Sequence, residues 1–263
     1  MDATSIPFYE SSGQEEQLFE YAYSHHLPLL IKGPTGCGKT RFIRHMAAKL
    51  GRPLFTVACH DDLTAADLVG RHLISPQGTT EWHDGPLTRA VRAGGICYLD
   101  EVVEARKDTT VILHPLADDR RELPLERTGE LLQAPPEFML VVSYNPGYQN
   151  MMKGMKPSTR QRFVALRFDF PSTEHERRII AHETGLDALW VNKLVTLGND
   201  LRNLRDVDLE EGISTRLLIY AARLIQGGMP PLEACRATLA ESLSDDLQTT
   251  EALMDVVIAH LGE

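Results

Sequence analysis

Residues 33–40 read Gly33-Pro34-Thr35-Gly36-Cys37-Gly38-Lys39-Thr40, a complete G-x-x-x-x-G-K-[ST] run. Residues of these types at this spacing can cradle phosphate. Glycine reaches positive φ values that side chains forbid, so the N–H groups of such a loop can turn inward around an anion. A helix N-terminus behind the loop adds its dipole. Lys39 would bring a point charge to the β- and γ-phosphates of a nucleotide, and Thr40 would place a hydroxyl on Mg2+. Cys37 reads as a small filler in the loop. The alternative is a thiol activated by the helix N-terminus, which would make nucleotide binding sensitive to oxidants.

Further along, the apolar run Ile96-Cys97-Tyr98-Leu99 leads into Asp100 and Glu101. Two carboxylates at the C-terminal end of a buried strand lie where open α/β sheets bind their ligands. Asp100 is expected to hold Mg2+ through water, and Glu101 to polarise the attacking water as general base. Asn145 ends the strand in VVSYN, where its amide could touch the γ-phosphate and the lytic water; it also suits a turn before Pro146–Gly147. PSTRQRF carries Arg160 and Arg162, either of which could spread charge over phosphoryl oxygens from a neighbouring subunit. The residues leave the choice between them open. Arg216, in GISTRLL, falls in the first turn of a helix capped by Ser214. A cation there opposes the helix dipole, and a nearby phosphate would explain its position.

These groups need a scaffold. Leu29–Ile31 reads as the strand before the loop, and Phe42, Ile43, Met46, Ala47 and Leu50 recur at helical spacing after it. Further strands are expected at Leu54–Cys59, Ile96–Leu99, Phe138–Tyr144 and Ala165–Phe170, continuous apolar runs that suit a parallel sheet covered on both faces. A helix over Glu15–Tyr23, ended by Pro28, precedes them. Thr64 is a plausible cap for a short helix, Leu87–Val91 begins another, and Glu104–Asp119 reads as mostly helical, though Pro115 should bend or shorten it. Hairpins are expected over 71–82 and 121–136. Beyond Pro171 only helical periodicity remains, roughly at 172–184, 187–201, 213–227, 230–242 and 249–261. The fold class is therefore α/β: a five-stranded parallel sheet flanked by helices with two β-hairpin insertions, followed by an all-helical lid. The expected division is 1–171, nucleotide-binding, and 172–263, lid.

With 43% hydrophobic and 24% charged residues, the 263-residue chain has enough apolar surface for a globular core, and no apolar run is long enough to span a membrane. MDATSIPFYE lacks the basic and apolar regions of a secretory signal, so a cytoplasmic location is expected. A net charge of −10 argues against non-specific nucleic-acid binding. Four scattered cysteines give neither a zinc pattern nor a disulfide framework. Cys59 and Cys97 read as core thiols, and His114 as a packed or capping histidine.

GPTGCGKT, LVGRHLI, WHDGPLTRAVRAG, YLDEVVEAR, HPLADDRREL, SYNPGYQ, MKPSTRQRF and EGISTR together resemble the signature segments of an AAA+ ATPase, and within it the MoxR branch and its CbbQ/NirQ/NorQ group. The resemblance runs from about residue 29 to the C-terminal helices. It implies a homo-hexameric ring using ATP and Mg2+, with Lys39, Thr40, Asp100, Glu101, Asn145, Arg160 or Arg162, and Arg216 matching the active-site motifs in order. It also implies that the two hairpins are insertions of that branch, and that an adaptor with a von Willebrand factor A domain (CbbO-like) links the ring to its client. For CbbQ-type members that client is Rubisco, freed of inhibitory sugar phosphates. For NorQ or NirQ members it is nitric oxide reductase or a nitrite-reduction system at the maturation stage. ICYLDEVVEARKDTT is more similar to the CbbQ type, which favours Rubisco. Two competing classes are a P-loop small-molecule kinase, opposed by the Asp100–Glu101 pair and the helical tail, and a nucleic-acid motor, opposed by the acidic balance.

Overall fold

The computed structural model describes residues 6–76, 78–146, 155–204 and 212–262, without the side chains of residues 107 and 108. Gly147, read above as part of a turn, and Glu211 of EGISTR lie outside the described residues. The chain divides into two compact units, Met1–Gly33 with Lys39–Arg167, and Pro34–Gly38 with Phe168–Glu263.

In the first unit, α1 (Glu15–Ser24) leads to β1 (Leu29–Lys32), α2 (Lys39–Lys49) and β2 (Leu54–Ala58). Then come α3 (Ala65–Val69), the antiparallel pair β3 (Gly70–Ile74) and β4 (Thr80–Asp84), α4 (Pro86–Ala93), β5 (Ile96–Asp100) and α5 (Lys107–Val111). A second antiparallel pair, β6 (Glu122–Leu125) and β7 (Glu130–Gln133), precedes β8 (Met139–Tyr144), α6 (Pro157–Arg160) and β9 (Val164–Arg167). Five strands form one parallel sheet in the order β2-β5-β8-β1-β9. The most apolar runs take the interior: all six residues of β8 are buried, as are the first four of β5 and the first three of β1. At the edges, β9 alternates between half-buried and exposed residues and β2 has no buried one. Register pairs Leu99 with Val142 and Lys32 with Tyr144, so Gly33, Asp100 and Asn145 leave the sheet along its C-terminal edge.

Local chemistry sets several boundaries. Thr64 and Asp67 form a reciprocal capping box on α3. Pro86 opens α4, where a missing N–H costs nothing, and left-handed Gly94 closes it. Elsewhere tertiary context overrides the sequence pattern. Glu104–Asp119 is not one helix: the five-residue α5 lies between 3-10 turns at Val102–Glu104 and His114–Leu116. There Thr109 Oγ1 donates to Leu63 O at 2.8 Å, and Pro115 cannot donate the backbone bond that a continuous helix needs. Helix α1 ends at Ser24, ahead of Pro28, with His26 at φ 58°. Strand β9 stops at Arg167 rather than Phe170.

The second unit contains α7 (Thr173–Thr184), α8 (Ala188–Arg202), α9 (Thr215–Gln226), α10 (Pro231–Cys235) and α11 (Leu247–Leu261), and no strand among its described residues. The expected helix 230–242 is α10 continued by a π-helical stretch, Arg236–Ala240. Within it Thr238 Oγ1 donates to Ala234 O and Ser242 Oγ to Thr238 O, side-chain bonds that compete with the helical ladder. Apolar residues of α8, α9 and α11, including Leu194, Leu218 and Leu253, form the core. Inside it Glu176, 0% exposed, accepts both Arg202 Nη1 (2.9 Å) and Nη2 (2.7 Å), together with Thr215 Oγ1 at 2.6 Å.

Candidate functional site

The first unit brings the phosphate-loop lysine and threonine to the acidic pair. Lys39, 6% exposed at the start of α2, donates to Gly33 O at 2.8 Å and lies 3.9 Å from Glu101 Oε1. Thr40 Oγ1 donates to Asp100 Oδ2 at 3.2 Å, across 60 positions of sequence. Both contacts follow from β1 and β5 ending at the same edge of the sheet, one strand apart. A neutral hydroxyl beside a carboxylate gives hard oxygen donors, a set that suits Mg2+. The buried lysine suits a phosphate's charge.

Glu101 follows directly on β5 at φ 52° and ψ 49°, a left-handed conformation that costs a non-glycine residue energy. It is held there: the Asn145 N–H, just beyond β8, donates to Glu101 Oε2 at 3.2 Å. Burial raises the Glu101 pKa, Lys39 lowers it and Asp100 raises it again, with a net rise above the usual carboxylate value. A carboxylate so placed keeps more affinity for a proton than a free one. Asn145 itself is buried beside this pair. Burial, followed by the charges of Asp100 and Glu101, pushes the Cys59 thiol up to about 12, so it is no nucleophile.

Two residues unmarked by the sequence motifs join this cluster. Tyr98 Oη donates to Asp100 Oδ1 at 2.8 Å, and Ser143 Oγ donates to the same oxygen at 2.6 Å. Both are 0% exposed. Burial and then the Asp100 charge push the Tyr98 phenol well above its usual range. The available signal was a hydroxyl inside each apolar run, in ICYLD and LVVSY.

The glycine cradle is described with the second unit. Gly36, at φ 70°, lies so close to Ser214 that a Cβ there would come 2.5 Å from Ser214 Cβ and 3.4 Å from Arg216 Cβ. Only glycine supplies both this φ and this clearance. Ser214 caps α9 by accepting from Leu217 N, which leaves Arg216 exposed in the first turn next to the loop. At Gly38, φ 100°, an added Cβ would meet nothing within 4 Å, so only the positive φ calls for glycine there. Cys37 is buried.

The two candidate arginines differ. Arg162 Nη1 donates to Ser158 O at 2.6 Å, within its own segment, whereas Arg160 is exposed at the end of α6. Neither makes a described hydrogen bond to Lys39, Thr40, Asp100 or Glu101. His114 Nε2 contacts Thr159 Oγ1 of α6 at 3.1 Å, a packing role. A cleft of about 400 Å³ lies away from the acidic pair, lined by Val69, Trp82, Val111, Pro124 and Arg127 of α3, α5 and the two hairpins.

Residues 28–163 match the AAA domain (dynein-related subfamily), and residues 176–260 match the CbbQ/NirQ/NorQ C-terminal family. Denitrification regulatory protein NirQ of Stutzerimonas stutzeri is 70% identical over 97% of this chain and 93% of its own. Protein NorQ of Paracoccus denitrificans is 60% identical over 99% and 96%, and protein CbbQ of Hydrogenophilus thermoluteolus 55% over 95% and 93%. Among solved structures, a RuvB point mutant of Thermotoga maritima shares the fold, with a TM-score of 0.58, 15% identity and coverage of 97% of this chain and 73% of that one.

Proposed function

Since the chain belongs to the CbbQ/NirQ/NorQ family of AAA-domain ATPases, we propose that it is an ATP-driven remodelling motor whose client is part of a denitrification system, nitric oxide reductase at maturation being the first candidate. The observation that carries the motor reading is the meeting of Thr40 with Asp100 and of Lys39 with Glu101. In this reading Lys39 and the N–H groups of residues 33–40 bind the nucleotide phosphates. Thr40 and Asp100 hold Mg2+, which when bound offsets phosphate charge. Glu101 takes a proton from the attacking water, while Asn145 orients that water and fixes Glu101 through its backbone. Arg216 reads the phosphate beside the loop. Arg160, the more exposed candidate, serves an adjoining protomer of a homo-hexamer.

The denitrification client rests on similarity across the whole chain: 70% to a NirQ and 60% to a NorQ, against 55% to a CbbQ. These values outweigh the local likeness of ICYLDEVVEARKDTT to the CbbQ type. Rubisco reactivation, supported by that segment, is the second reading. A von Willebrand factor A domain adaptor is proposed in either case. The hairpins, with Ile74 79% exposed and Leu131 54% exposed, are the proposed client-facing elements. The test expresses nitric oxide reductase with its adaptor, with and without this protein, and measures nitric oxide consumption. Active reductase only when the motor is present supports the reading. Full activity without the motor, alongside recovery of sugar-phosphate-inhibited Rubisco by motor, adaptor and ATP, transfers the client to Rubisco.

A further inference from the structure

Tyr98 and Asp100 stand two residues apart on β5 and therefore on one face of the strand. Register sets Leu99 beside Val142, which brings Ser143 of β8 level with Asp100. The two hydroxyls are fully buried in strands that are otherwise apolar. A hydroxyl in such a place is unfavourable unless it is hydrogen-bonded, and for both of them the partner is Asp100 Oδ1. The Tyr98 and Ser143 oxygens also lie 3.0 Å apart, so three contacts among Tyr98, Ser143 and Asp100 share two protons, and the Tyr98 hydroxyl is hydrogen-bonded to the Thr40 side chain as well. Bonds to a charged acceptor are the stronger ones, so both protons go to the carboxylate. Oδ1 is then saturated. Oδ2, 3.2 Å from Thr40 Oγ1, is the oxygen left to face a cation.

We propose that Tyr98 and Ser143 are positioning residues that clamp Asp100 with Oδ2 turned toward Thr40 and thereby set the divalent-metal affinity of the nucleotide site. The inference rests on the assignment of Asp100 to the metal. Ser143 has a second task. Its Oγ accepts the Glu101 N–H at 3.4 Å, so one hydroxyl touches the metal-side carboxylate and the backbone of the general base. Tyr98 makes no hydrogen bond to Glu101 among the described contacts. The two residues are therefore separable: loss of Tyr98 Oη weakens the metal alone, and loss of Ser143 Oγ also disturbs the left-handed Glu101.

The experiment uses the full chain and Mn2+ as the probe, with bound Mn2+ read by electron paramagnetic resonance in the presence of ADP. Tyr98→Phe keeps the ring in the core and removes only the hydroxyl, with its contacts to Asp100, Ser143 and Thr40; Ser143→Ala is the independent second variant, and thermal melting reports whether each folds. Both are expected to weaken Mn2+ binding about tenfold, the usual effect of losing a partner that orients a metal ligand, with ADP binding in EDTA unchanged. Raising Mg2+ should restore kcat in Tyr98→Phe but only partly in Ser143→Ala. Unaltered Mn2+ affinity in both variants, with Asp100→Ala losing Mn2+, overturns the clamp and leaves the site assignment standing. Unaltered Mn2+ affinity in Asp100→Ala overturns both. A lowered melting temperature with unaltered Mn2+ affinity assigns the hydroxyls to stability alone and likewise overturns the clamp.

Discussion

At Glu101 burial and the neighbouring Lys39 and Asp100 act on one carboxylate in opposite directions, and the balance is a raised pKa. As the proposed general base, Glu101 is active only when deprotonated, so the acid limb of the kcat–pH profile should lie above the ordinary carboxylate value of 4.5. A limb at or below that value would separate the acid limb from this residue. Glu101→Gln keeps the side chain's size and its acceptor for the Asn145 N–H, while losing the base. Turnover should fall by about 100-fold or more with ATP binding retained, measured by phosphate release and by nucleotide titration. Unchanged turnover would reassign the base. Gly36 is limited differently, by φ 70° and by Ser214. Gly36→Ala should therefore abolish measurable ATP binding while leaving the sheet's circular-dichroism signal intact; tight binding in that variant contradicts the cradle.

Among the elements, the helical unit is organised by one buried ion pair. Glu176 on α7 takes a bidentate bond from Arg202 at the end of α8 and a bond from Thr215 at the start of α9, so one carboxylate ties three helices together. Arg202 Nε also donates to Ile213 O at 2.6 Å, and its guanidinium lies 4.5 Å over the Phe170 ring. Removing one member leaves the other charged and buried, so Glu176→Ala should cost about 3–5 kcal/mol. Trp190 of α8 provides the readout, in a Trp82→Phe background so that denaturant unfolding reports on the helical unit. A loss below about 1 kcal/mol would show that the pair is dispensable. By contrast, Arg92 on α4 joins the two hairpins, bridging Asp84 at 2.9 Å and Glu130 at 2.6 Å, but it is 41% exposed. Arg92→Ala should change stability by no more than about 1 kcal/mol.

For the whole molecule the proposed working state is an assembly. Sedimentation with a non-hydrolysable ATP analogue should show a hexamer. Each protomer carries a formal net charge of −10, so assembly should strengthen as salt screens that repulsion up to about 0.15 M. Arg160→Ala protomers mixed with Glu101→Gln protomers offer a sharper test. Each variant alone should be inactive, and mixing should restore turnover at interfaces that pair an intact base with an intact arginine. A mixture as inactive as its parts excludes Arg160 as the shared group. No helix among the described residues is long and apolar enough to cross a membrane.

The amino-acid order by itself determined the phosphate loop, the strand that leads into Asp100 and Glu101, the two hairpins over 71–82 and 121–136, and the change to helical periodicity after Pro171. Each of these is a local pattern, in which glycine placement, apolar period or a cap is read within a few residues. Tertiary structure alone decided that β8 lies at the centre of the sheet, that Tyr98 and Ser143 share one oxygen of Asp100, and that Glu176 reaches Thr215 across 39 positions. Over Glu104–Asp119 the sequence marked Pro115 as the residue that shortens the helix, and tertiary structure shortened it further, to Lys107–Val111, where Thr109 found an acceptor at Leu63. The reason is common to all of these. Strand order and register determine which distant hydroxyls and carboxylates meet, and no local periodicity encodes the choice of a neighbouring strand.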